Sequence, residues 1–244
     1  MKPDFELNFR PLFALARVLT LVMLLLIPLQ IMVFVIAPPP DTVTGFFELF
    51  QQHPFLGLLS LDFIYLFNNA ILVIIYLAIA VLLFREKPVT VLLAIVLGLI
   101  GIACYYPSNP AFEMLTLSNL YAQALPPDQS LYLAAGEAVM AGYTGTAFNT
   151  YYVLNAIGLL LFAYTFLCSP GFKKSIGWWG LASGVLMIVP SSAGLIGMIF
   201  SLASLIPWMV FIALLMGVFK KAAAESGLIH SQPTALGNPG RRID

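Results

Sequence analysis

This sequence is poor in charge, in cysteine and in histidine, and each shortage excludes a class of protein. Only 9% of its 244 residues are Asp, Glu, Lys or Arg, while 61% are apolar; soluble domains are charged at about a quarter of positions. A soluble fold of this length has too little polar surface to cover so much apolar side chain, so a lipid bilayer must cover it. The 11 basic and 11 acidic residues cancel, which leaves no general attraction for nucleic acid. Cys104 and Cys168 form no C-x-x-C, so neither a disulfide framework nor a thiolate metal site is expected. Both read as small apolar packing residues. The two histidines, His53 and His230, fall on opposite sides of the topology derived below and cannot share a zinc ion. The sequence contains no H-E-x-x-H, no G-x-S-x-G and no phosphate-cradling glycine motif. No catalytic motif and no cofactor is therefore expected.

What the chain has in quantity is long apolar sequence. Residues 14–37, 58–84, 89–106, 149–168, 178–195 and 198–219 each approach or exceed the roughly 20 residues that a spanning helix needs. Lipid offers backbone groups no partner and no period-two alternation points to a barrel, so the spans are predicted as helices. The fold class expected is all-α, an integral membrane bundle of six transmembrane helices. The first stretch runs into Pro38, Pro39 and Pro40 without a small-x-small cleavage pattern, and reads as a retained anchor.

The basic residues orient this bundle. Lys2, Arg10 and Arg17 precede or open the first span, Arg85 and Lys87 join spans two and three, and Lys173 and Lys174 join four and five. Lys220, Lys221, Arg241 and Arg242 follow span six. The segments on the other face carry acids but no Lys or Arg, so the positive-inside rule places both termini in the cytoplasm. Trp178 and Trp179 suit an inner-interface anchor.

Between spans three and four, residues of about 108–148 are too polar to span and too apolar to be disordered, and an outer helical hairpin is predicted. Phe112, Leu115, Leu117, Leu120 and Tyr121 give helical spacing from Pro110 to Leu125. Pro126 and Pro127 end that helix, and Asp128 is expected to cap a second one starting near Gln129. The second helix runs toward span four, with Gly142 and Gly145 as bend points. The spanning domain is read as 1–221, and 222–244, without a periodic apolar face, as a disordered tail.

Polar residues inside the spans are the candidates for function. Asp62, Tyr65, Asn69 and Tyr76 share one stripe of span two, with Asn68 beside it. Asp62 is the only acid within a predicted span, and its functional reading is a cation or proton site. Asn155 falls at the depth of Pro28, Pro190, Ser191, Ser192 and Pro207, the layer where bent helices would line an outward-facing cavity. Glu113 and Glu137, on the outer hairpin, would add carboxylates above it and favour cations or amines. Small residues, among them Ala94, Gly98, Gly101, Gly180 and Gly184, allow close helix approach.

Several phrases carry a resemblance: F-N-T-Y-Y-V-L-N-A entering span four, S-P-G-F-K-K-S-I-G-W-W-G after it, S-L-I-P-W-M-V-F near the end and L-D-F-I-Y-L-F-N-N in span two. Over most of its length the chain resembles the uncharacterised bacterial membrane proteins of domain-of-unknown-function family forty-three eighty-six. The resemblance implies a bacterial-type inner-membrane protein of about six helices and carries over no functional residue. Three roles are open at this stage. The first is binding or moving a small amphipathic or cationic ligand through the outward cavity, around Asp62, Asn69 and Asn155. The second is a structural or regulatory subunit that binds another membrane protein. The third is an intramembrane acid/base enzyme using Asp62 or Glu137.

Overall fold

The computed structural model describes the backbone of residues 8–231 and the side chains of residues 8–226. Within them the chain is all-α, with no strand. Five helical stretches are long and apolar enough to cross a membrane: Arg10–Ile36, Phe63–Leu83, Pro88–Gln123, Pro126–Cys168 and Gly194–Ser226. That is the make-up of a multi-pass membrane protein.

The helix α1 (Arg10–Ile36) shows the inverted pattern that lipid imposes. Phe13, Ala16, Thr20, Met23, Ile27 and Gln30 recur at steps of three and four and are buried, while Leu25 and Val35 stand 65% and 75% exposed. A polar Thr20 and Gln30 inside with aliphatic side chains outside is the reverse of a soluble helix. The inward stripe packs on α4 (Phe63–Leu83) and on α10 (Gly194–Ser231). Going round, α4 meets α5 (Pro88–Ser108), α5 meets α8 (Thr146–Cys168), α8 meets α9 (Lys174–Leu186), and α9 meets α10. Six helices thus close a ring in chain order, around an apolar core that includes Ile75, Ile79, Phe162, Phe166 and Phe211.

Small residues hold the ring tight. A Cβ on Gly158 of α8 would stand 3.0 Å from the Ala94 carbonyl oxygen of α5 and 3.4 Å from the Gly98 backbone. One on Gly98 would stand 2.7 Å from the Tyr76 ring. These glycines of α5 and α8 are therefore used for packing within the chain.

Two chain connections at one end of the ring fold into a second layer. Between α1 and α4 lie α2 (Val43–Gln52) and α3 (Pro54–Ser60); between α5 and α8 lie α6 (Ala111–Gln123) and α7 (Pro126–Tyr143). They share a separate apolar core of Phe46, Phe47, Phe50, Leu61, Ala111 and Met114. Gln51 Nε2 donates to Ser118 Oγ at 2.9 Å, and Ser118 Oγ to the Phe47 carbonyl at 2.9 Å, which ties α2 to α6.

Four sequence expectations change here. The second span does not run unbroken from residue 58, because the chain breaks at Leu61 and Asp62 between α3 and α4. Helix α7 starts at Pro126, before Gln129, since proline needs no N–H partner in a first turn; Asp128 sits in that turn instead of capping it. Helix α9 stops at Leu186 instead of reaching residue 195, and residues 187–193, with Pro190 among them, are not helical. Lastly, α10 continues to Ser231, past the expected start of a tail at 222. Ala222, Ala223 and Ala224 are strong helix formers, and Lys221 pairs with Glu225 one turn on at 3.6 Å. Residues 1–7 and 232–244 lie outside the described residues, as do Lys2, Arg241, Arg242 and the His230 side chain.

Candidate functional site

Asp62 stands where the two layers meet. Its backbone is left-handed, with φ 59° and ψ 29°, and it is the only non-glycine residue of positive φ among the described residues. Aspartate tolerates this conformation better than most residues. As the N-cap of α4 its carboxylate would ordinarily accept from a free N–H of the first turn, yet it makes no such bond. It accepts instead from the Tyr143 hydroxyl at the end of α7. The side chain thus forgoes a local cap for a contact across the fold.

Tyrosines surround it. Tyr105 Oη donates to the Asp62 carbonyl at 3.5 Å, and the Tyr105 and Tyr151 rings pack tilted at 54° with centroids 4.8 Å apart. Tyr65 follows in the first turn of α4, its N–H bonded to the Asp62 carbonyl at 2.9 Å, and the Tyr143 ring adjoins Phe148, which in turn adjoins Tyr151 and Tyr152. The one ion pair among the described residues joins Lys221 to Glu225, so Asp62 has no basic partner. Its residue surface is partly covered. Loss of water around the carboxyl, which lies before the span Phe63–Leu83, raises it from the ordinary carboxylate range to about 6, with the Tyr143 hydrogen bond pulling the other way.

Deeper in the ring the polar stripe of α4 continues. Tyr65, Asn69 and Tyr76 face α5 and α8: Tyr76 Oη donates to Asn155 Oδ1 at 3.3 Å, and Asn155 Nδ2 to the Tyr151 carbonyl at 3.0 Å. The Asn69 amide lies beside the Tyr151 hydroxyl and donates to the Tyr65 carbonyl at 3.0 Å. Among the described residues three buried side-chain atoms have no hydrogen-bond partner: Gln30 Oε1, Asn68 Oδ1 and Asn69 Oδ1. All three are acceptors. Gln30 lies on α1, and Asn68 and Asn69 lie on α4.

No protein-family model, curated protein or solved structure matches the chain. The chemistry of this cluster therefore carries the functional reading.

Of the residues singled out by sequence, the fold links Asp62 to Asn155 through Tyr105 and Tyr151 and ties Asn69 to the Tyr65 carbonyl beside them, while Asn68 is buried next to Asn69 on α4. It does so with a correction: Asn69 and Asn155 are 0% and 1% exposed, so the expected open cavity around them is filled by side chains. Tyr76, Asn155 and the Asn69 amide nitrogen are paired within the fold, whereas Asn68 Oδ1 and Asn69 Oδ1 are not. Glu113 and Glu137 do not join the cluster and are exposed on α6 and α7. Glu113 borders a groove of about 400 Å³ with Phe112, Thr116, Leu117, Ala135 and Val139. A larger groove of about 700 Å³ follows α8 along Gly145, Thr146, Asn149, Thr150, Val153 and Leu154. Sequence reasoning missed Tyr105, Tyr143, Tyr151 and Tyr152. Their signal was there: a tyrosine within apolar sequence carries a hydroxyl that must find a partner.

Proposed function

We propose that the chain is a six-pass inner-membrane protein with both termini cytoplasmic, which binds a small amphipathic organic cation at Asp62. The observation that carries this reading is a half-covered carboxylate with no basic partner among the described residues, held by the Tyr143 hydroxyl and flanked by Tyr105, whose hydroxyl donates to the Asp62 carbonyl. A negative charge supplies the attraction, and aromatic faces supply cation–π contact and apolar surface for an alkyl body.

Six passes follow if α9 and the irregular residues after it make the fifth. The 13 residues of α9 rise only about 20 Å, short of the roughly 30 Å hydrocarbon core, and residues 187–193 complete the path to α10. Irregular backbone at membrane depth is tolerated where protein shields it; Ser192 Oγ donates to Asn149 Oδ1 of α8 at 2.5 Å. The junctions bearing Arg85, Lys87, Lys173 and Lys174 lie at the end of the ring away from α2, α3, α6 and α7. On the positive-inside rule that end is cytoplasmic and the tyrosine cluster faces out.

Hexylammonium tests the reading. Protein in nanodiscs of zwitterionic lipid is expected to bind radiolabelled hexylammonium saturably, one per chain, above the level taken up by empty nanodiscs. Uptake equal to that of empty nanodiscs at every concentration would contradict it.

A further inference from the structure

We propose that α7 is a flap over Asp62, and that the Tyr143 hydroxyl holds, in the closed protein, the place taken by an N–H donor of the ligand. This rests on the organic-cation reading above.

The helix is seated more lightly than α8 of the ring, by Tyr132, Leu133, Val139, Met140 and Tyr143, which pack partly buried against the outer apolar core. Among its residues only Gly136 is buried; it rests on α2, where a Cβ would stand 2.5 Å from Val43 Cγ1 and 3.1 Å from the Phe47 ring. Both ends are breaks in the chain. Ala124 and Leu125 are extended before Pro126, with ψ of 148° and 151°. After Tyr143, Thr144 and Gly145 separate α7 from α8. The second break is anchored from one side: Asn149 Nδ2 of α8 donates to the Thr144 and Gly145 carbonyls at 3.0 and 2.9 Å. On the other side, Gly142 has nothing within 4 Å of where a Cβ would stand. A helix broken from the chain at both ends, whose apolar side chains are only partly buried and whose one fully buried residue is Gly136, moves more readily than the ring helices.

At the tip of that rod sits the only side-chain donor the structure gives to the Asp62 carboxylate. Swinging α7 away uncovers the acid and removes that donor together. A carboxylate stripped of its donor in a half-covered site is costly to leave unpaired, so whatever replaces Tyr143 must itself donate. That narrows the ligand class to primary, secondary or tertiary ammonium, which carry N–H, and disfavours quaternary ammonium, which has none.

Two variants test the flap in a background lacking Cys104 and Cys168. The Val43→Cys, Gly136→Cys pair lies within disulfide reach and, once oxidised, fastens α7 to α2. The half-time of hexylammonium uptake is expected to lengthen at least about tenfold on oxidation and to recover with reductant. Tyr143→Phe removes the internal competitor and is expected to tighten hexylammonium binding about tenfold at pH 8, where Asp62 is ionised. The same variant should bind N,N,N-trimethylhexylammonium less well than hexylammonium. Uptake unchanged by the cross-link, or weaker binding in Tyr143→Phe, would overturn the flap while leaving the cation site standing. No saturable uptake by the reduced protein would overturn the cation reading and the flap with it.

Discussion

Asp62→Asn is expected to weaken hexylammonium binding about 10- to 100-fold at pH 8 and to abolish its dependence on pH. The size follows from a charge-assisted hydrogen bond in a site short of water, about 1.5–3 kcal/mol. Asparagine keeps the shape, and it tolerates the left-handed backbone as well as aspartate does, so the fold is expected to survive. The pH dependence of the native protein has a definite sign. Burial holds the free carboxyl at about 6, and a cation prefers the ionised form. Affinity is therefore flat above pH 7 and falls as pH drops through 6, approaching tenfold per unit below 5. At pH 5 about nine-tenths of the free sites carry a proton, so binding releases close to one proton there and almost none at pH 8. Calorimetry in buffers of different ionisation enthalpy reads that number. A variant with native affinity, or proton release that does not change between pH 5 and 8, would remove Asp62 from the site.

Gly158→Leu is expected to be the most damaging single change in the ring. The seam between α5 and α8 is the most extensive in the ring, and the neighbours a side chain would meet at 158 are backbone atoms, the Ala94 oxygen at 3.0 Å and Gly98 at 3.4 Å. Backbone within a helix has no rotamer to change, so the helices must part. Overpacking of this kind costs about 3 kcal/mol or more, a fall in melting temperature of roughly 5–10 °C for a chain of this size. Tyr151 and Asn155 ride on the same helix, so hexylammonium binding should weaken as well. Gly142→Ala is the control. With nothing within 4 Å of its Cβ position, it should leave the melting temperature unchanged or slightly raised. Equal melting temperatures for the native protein and Gly158→Leu would show the seam to be looser than described.

The helices were legible in the sequence because lipid imposes long apolar runs, and because the ring glycines and the stripe Tyr65, Asn69 and Tyr76 follow helical spacing. What escaped were breaks that depend on tertiary contact. Nothing local in L-S-L-D-F-I announces that α3 ends before Asp62; the turn is held by Asn109 Nδ2 on the Leu61 carbonyl at 2.7 Å and by Tyr143 on the carboxylate. The early end of α9 has a local sign in Pro190, but its place at Leu186 reflects the bond between Ser192 and Asn149 forty-three residues away. The bend at Gly142 and Gly145 was foreseen from glycine alone, and the break falls at Thr144 and Gly145. Asp62 stands out in the sequence as an acid beside an apolar span. The tyrosines around it come from α4, α5, α7 and α8, and a sequence does not say which distant tyrosines will meet.

The most direct test of the central claim, that Asp62 is a half-buried carboxylate reserved for a cation, is its reaction with dicyclohexylcarbodiimide. This apolar carbodiimide partitions into the bilayer and modifies protonated carboxyl groups there. The other acids whose side chains are described are exposed, whereas Asp62 is partly covered just before the candidate span Phe63–Leu83, with its pKa raised to about 6 by burial. Peptide mapping is expected to find Asp62 as the principal site, modified faster at pH 6 than at pH 8 and protected by hexylammonium in proportion to occupancy. Modification spread over the exposed acids, or labelling of Asp62 that hexylammonium does not slow, would contradict the account.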